Sequence, residues 1–118
     1  MRRVLAALIF AAFFASSGVA TAQIAVGLEL VLLADASHSI DDAEIRFQRG
    51  HYAAAITHAE ILAAIAAGYR QRIAVAYVGW GDEEPEDVVV PWTVIDCPAA
   101  AAGFADALTA ASPAEPSA

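Results

Sequence analysis

The chain has 118 residues, six arginines, no lysine and 14 acidic residues, for a formal net charge of −8 at pH 7. A surface that negative repels phosphate backbones, which argues against nucleic acid as a partner and for divalent cations or basic proteins. Cys97 is the single cysteine, so an intramolecular disulfide is excluded and the fold must rest on core burial alone.

Residues 1–22 carry the three parts of a cleavable signal peptide. Arg2 and Arg3 give a positive start, Val4 to Phe14 form an unbroken apolar run, and Ala20-Thr21-Ala22 is a small-residue cleavage site. The run is shorter than the roughly 20 residues a membrane span needs, so an uncleaved anchor is the lesser reading. The expectation is an exported protein, periplasmic or secreted, with no membrane span after cleavage. Cleavage would leave 96 residues with four arginines against 14 acids, a net charge of −10.

Beyond the leader, residues 23–110 read as folded and 111–118 as a Pro/Ala/Ser tail with nothing to bury, expected to be disordered. Residues 28–34 are almost continuously apolar, the pattern of a strand buried on both faces. After a polar loop, Ser39 or Asp41 can cap a helix whose first turn holds Asp42 and Glu44, with Ile45, Tyr52 and Ile56 on its buried face. Thr57-His58-Ala59-Glu60 has capping-box spacing and predicts a second helix, with Ile61, Leu62 and Ile65 inward and Gly68 as its end.

Ile73 to Trp80 predicts a strand parallel to the first, since a helical crossover joins them. The acidic turn 81–87 is too short for a crossover, so Val88-Val89-Val90 starts an antiparallel strand, and Pro91 restricts it to a sheet edge. Pro98 to Leu108 predicts an Ala-rich helix. Trp80 and Trp92 are expected to pack under the helices, with interface anchoring as the alternative, and Cys97 to be a small, partly buried residue.

Asp35, Ser37 and Ser39 stand at alternate positions just after the first strand, where open α/β sheets bind ligands. One carboxylate and two hydroxyls are the hard oxygen donors that Mg²⁺ or Mn²⁺ prefers, with Ca²⁺ as a third candidate. The following helix dipole opposes a cation there, and Asp41 and Asp42 partly offset it. A plain Asx or Ser turn is the competing reading, though capping accounts for only one of the three residues.

Residues 30–40, Leu-Val-Leu-Leu-Ala-Asp-Ala-Ser-His-Ser-Ile, resemble the first strand and metal-ion-dependent adhesion site of von Willebrand factor A domains. Residues 48–55, 72–75, 77–80 and 90–95 narrow the resemblance to an uncharacterised group of exported proteins with that fold, over residues 26 to about 108. The resemblance implies a three-layer α/β/α Rossmann-like fold with six strands in the order 3-2-1-4-5-6. This sequence is expected to be truncated, supplying strands one to three and their helices. It also implies that Ser37 and Ser39 bind the cation directly, that Asp35 binds through water, and that the carboxylate of an unknown protein partner takes the open position. A later threonine and aspartate complete the family's site, and the sequence ends before either would arrive.

The implied function is therefore binding rather than catalysis, with a non-functional remnant that binds no metal as the alternative. A remote alternative is a phosphotransferase of haloacid-dehalogenase type, opened by Asp35. It needs a second carboxylate two residues on, where Ser37 stands. His38, His51 and His58 read as solvent-facing or core-edge histidines rather than a metal cluster. The acidic run from Asp82 to Asp87 lacks the spacing and central glycine of a calcium loop.

Overall fold

The computed structural model describes residues 23–37, 39–81 and 87–111. The expected signal peptide, His38, the core of the acidic turn at 82–86 and the tail from residue 112 lie outside the described residues. The order of elements is β1 (Glu29–Asp35), α1 (Asp42–Ile56), α2 (Ala59–Ala67), β2 (Ile73–Trp80), β3 (Asp87–Ile95) and α3 (Pro98–Ala110). The protein is a mixed α/β chain with a three-stranded sheet flanked by helices, a partial Rossmann-like arrangement.

The strands lie in the order β1-β2-β3. β1 pairs with β2 in parallel, from Glu29 opposite Ala74 to Asp35 opposite Trp80. β2 pairs with β3 antiparallel, as the short connection dictates. β3 is an edge strand, and it accommodates Pro91 through register shifts between the pairs Val75–Thr93, Tyr77–Val90 and Val78–Val88. Each shift adds a residue on the β3 side, the local solution for a residue that cannot donate to the ladder.

α1 starts as its sequence dictates. Asp41 accepts from the Glu44 N–H at 2.8 Å, and the Glu44 carboxylate accepts from the Asp41 N–H at 3.1 Å. This reciprocal capping box contributes about 1 kcal/mol. It also fixes where the helix begins, with six residues between it and the end of β1. The helix then runs through Gly50 without a break and buries Ile45, Arg49, Ala53 and Ile56.

The core lies on one face of the sheet. Leu30, Leu32 and Ala34 of β1 face Val75 and Tyr77 of β2, Val90 and Ile95 of β3, and Ala53 and Ile56 of α1. α3 packs beside α1 and closes this core with Ala101, Phe104, Ala105 and Leu108. The Tyr52 ring meets the Tyr77 ring edge-on, with centroids 5.4 Å apart.

Several expectations are corrected. β1 is not buried on both faces: Val31 is 49 % and Leu33 56 % exposed. These residues share the face opposite the core with Trp80, which pairs with Asp35, so Trp80 does not lie under the helices. Trp92 is likewise half exposed, on the bulged part of β3. Thr57 does not cap α2; its hydroxyl donates to the Ala53 carbonyl at 2.8 Å, and it ends α1 instead. His58 is the cap of α2, its Nδ1 accepting from the Glu60 N–H at 3.2 Å. Ile61 faces solvent, Leu62 and Ile65 pack against the core, and Cys97 is exposed. Gly68 does end α2, in an extended conformation.

Arg49 stands on the buried face of α1 by its spacing, despite its charge. It is 6 % exposed, and its Nη1 donates to the Ala111 carbonyl at 2.8 Å. That bond satisfies a carbonyl at the C-terminus of α3 and ties α1 to it, with the cation placed favourably for the helix dipole.

Candidate functional site

The carboxyl end of β1 opens into a loop held from three directions. The Ala36 N–H donates to the Trp80 carbonyl at 2.7 Å, continuing the β1–β2 ladder one step past Asp35. The Ser37 N–H donates to Asp35 Oδ1 at 2.9 Å, folding the chain back on the carboxylate. The Ile40 N–H then donates to the Ser37 carbonyl at 2.9 Å and closes the turn that leads to α1.

These bonds settle where the three expected side chains stand. Asp35 is the last residue of β1 and half-buried; Ser37 is buried and Ser39 exposed. The hydroxyls of Ser37 and Ser39 are 3.1 Å apart and hydrogen-bonded, so the alternate spacing does bring them together. The backbone N–H of Ser37, with the Ser37 hydroxyl beside it, holds the Asp35 carboxyl below its ordinary value of 3.8, against a small opposing effect of burial. A lowered value means the Asp35–Ser37 interaction stabilises the fold above the unfolded-chain value and is lost as pH falls through the folded one. At neutral pH Asp35 is an anion.

Sequence reading missed the floor of this loop. A Cβ on Gly81 would stand 3.3 Å from the Ala36 carbonyl oxygen and 4.0 Å from Ser37 Cα, and a Cβ on Gly79 would meet the Ala36 Cβ at 3.7 Å. Glycine at 81 therefore lets the chain just past β2 lie close under the loop, while at Gly79 a side chain would make an ordinary contact. The signal was present in the Gly-Trp-Gly run, but nothing in one sequence says what a glycine approaches.

His51 and His58 do not join this site as a cluster. His51 stacks on Phe47 with ring centroids 4.3 Å apart, and His58 is occupied as the cap of α2. Among the described residues, no group of three or more His, Cys, Asp or Glu side chains is arranged to hold a metal ion. Among the described residues, the side-chain donors that the β1 loop brings together are one carboxylate and two hydroxyls. Among the described residues, no helix is long and apolar enough to cross a membrane.

Residues 25–118 match the family model described as Protein of unknown function (DUF1194). The chain belongs to this family. Its match takes in every described strand and helix, including the Asp35–Ser39 loop. No curated protein matches the chain, and no solved structure matches it.

Proposed function

We propose that this DUF1194 chain is an exported binding module of von Willebrand factor A type, with Asp35, Ser37 and Ser39 forming part of a metal-ion-dependent adhesion site. The observation that carries the reading is the 3.1 Å separation of the Ser37 and Ser39 hydroxyls beside an ionised Asp35. Adjacent oxygens in a Mg²⁺ octahedron with bonds of about 2.0–2.1 Å lie about 3 Å apart, so two neighbouring ligand positions are already spaced for the ion. All three donors are hard oxygens, which fits Mg²⁺ or Mn²⁺, with Ca²⁺ as the third candidate.

When bound, the cation supplies an electrophilic position that an acidic side chain of a partner protein can occupy. The chain's own residues prepare that position. Ser37 and Ser39 offer neutral oxygens, which leaves positive charge facing the partner, and Asp35 balances part of it from behind. The strand order β1-β2-β3 corresponds to the first three places of the 3-2-1-4-5-6 order of the resembled family. Binding is favoured over phosphoryl transfer because Ser37 stands where a second carboxylate is required, and a serine cannot perform that proton transfer.

A second reading is a chain that binds no cation by itself. The one-sided burial of β1 supports it, since Val31 and Leu33 leave the strand that carries the site uncovered on one face. Isothermal titration of Mn²⁺ and Mg²⁺ into the full chain and into Asp35→Ala separates the two. The proposal expects saturable one-to-one heat that weakens at least tenfold, or about 1.4 kcal/mol, in the variant. Equal heats from the two proteins, or none from either, would remove the metal claim and leave the second reading.

A further inference from the structure

The opposite pole of the sheet, at the amino ends of β1 and β2, holds a cavity of about 400 Å³. That volume falls in the range of small-molecule sites, roughly 300–1,000 Å³. Leu28, Ile65 and Ile73 are among its apolar lining residues, and Tyr69, Arg70 and Arg72 line it as well. Only four arginines and no lysine lie beyond residue 22, so half of that region's cationic side chains meet at this one cavity.

Three details describe a prepared site. The Nε–H of Arg72 is buried and has no hydrogen-bond partner among the described residues. A buried, unsatisfied guanidinium donor costs on the order of 1–3 kcal/mol, more for a charged group, unless a ligand completes it. The Arg70 guanidinium carbon lies 5.4 Å from the centroid of the Tyr69 ring, whose residue is 95 % exposed, so the ring restrains this cation at the surface. The third detail is Gly27, whose Cβ, if it had one, would stand 3.6 Å from the Arg70 Cβ and 3.5 Å from the Arg72 carbonyl oxygen. The Gly27 N–H donates to that same carbonyl at 2.9 Å, which anchors the floor beside the Arg70 stem.

From these features we infer that this cavity is a binding site for a small carboxylate on an apolar stem. A guanidinium group matches a carboxylate in charge and in fork geometry, two lining residues carry one, and the apolar lining residues take the stem. The site lies across the length of the sheet from Asp35 and requires no cation. It is thus independent of the function proposed above.

Octanoate titrated into the full chain, isolated in the form its host cell accumulates, tests this by calorimetry and amide chemical shifts. The expected result is saturation at or below about 1 mM, with shifts centred on Gly27–Leu28 and Tyr69–Arg72. Octanol should bind at least tenfold more weakly, and so should octanoate to Arg70→Gln/Arg72→Gln. Arg70→Gln alone, at an exposed residue, should weaken binding measurably with an unchanged thermal transition. The inference is overturned if octanol binds as well as octanoate. It is equally overturned if the double variant keeps its affinity, if the shifts fall elsewhere, or if no saturation is reached.

Discussion

Phe104→Ala is expected to destabilise the protein by about 3–5 kcal/mol, the cost of deleting a buried phenyl ring and leaving its cavity. Phe104 is 1 % exposed, on the α3 face that closes the core over β2 and β3. A chain of this size is stable by only about 5–13 kcal/mol, so the substitution removes a large share of the total. Thermal unfolding followed by circular dichroism should show a midpoint lowered by at least about 12 °C. Phe47 provides the control: it is 67 % exposed on α1, and Phe47→Ala should change stability by less than about 0.5 kcal/mol. Equal losses from the two variants would mean that α3 is not the lid of this core.

Ser37→Ala is expected to weaken Mn²⁺ binding at least tenfold while changing stability by less than about 1 kcal/mol. The two effects separate because of where the hydroxyl points. The hydroxyl meets Ser39, which is exposed and can turn to water when the partner is lost, and it only supplements the backbone N–H in holding Asp35. The backbone N–H that holds Asp35 survives the change, so the loop keeps its shape. Paired calorimetric titrations and thermal melts measure both quantities. A variant that loses stability and affinity together would make Ser37 a structural residue of the turn, as the Asx-turn reading has it.

The local rules were legible where a single residue decides the outcome. Of the two caps open to α1, Ser39 and Asp41, the structure uses Asp41 in a box with Glu44, and the short link after Trp80 makes the expected hairpin. The alternate spacing of Ser37 and Ser39 was legible too, and the turn after β1 brings their hydroxyls within hydrogen-bond distance. Thr57 was less legible because its side chain has two competing uses. It could cap the next helix or close the last, and the carbonyl of Ala53 was the nearer acceptor.

Tertiary facts were less accessible. The apolar run of β1 tells what the strand is able to bury, and Val31 and Leu33 reveal that one face goes uncovered. Arg49 lies at a position whose periodicity assigns it to the core, yet its charge argued for the surface. It is buried because the terminal carbonyl of α3 gives its guanidinium a partner, a contact spanning 62 positions. Gly79 and Gly81 belong to the site through closeness of backbone alone, which has no signature in side-chain chemistry.

The most direct test of the central claim is amide broadening by substoichiometric Mn²⁺ in the full chain. The account predicts that the resonances of Asp35 to Asp41 and of the neighbouring Gly79 to Gly81 broaden first, and that Asp35→Ala abolishes the effect. Broadening centred instead on the acidic segment around Asp82 to Asp87, or persisting unchanged in Asp35→Ala, would contradict a cation site at the end of β1.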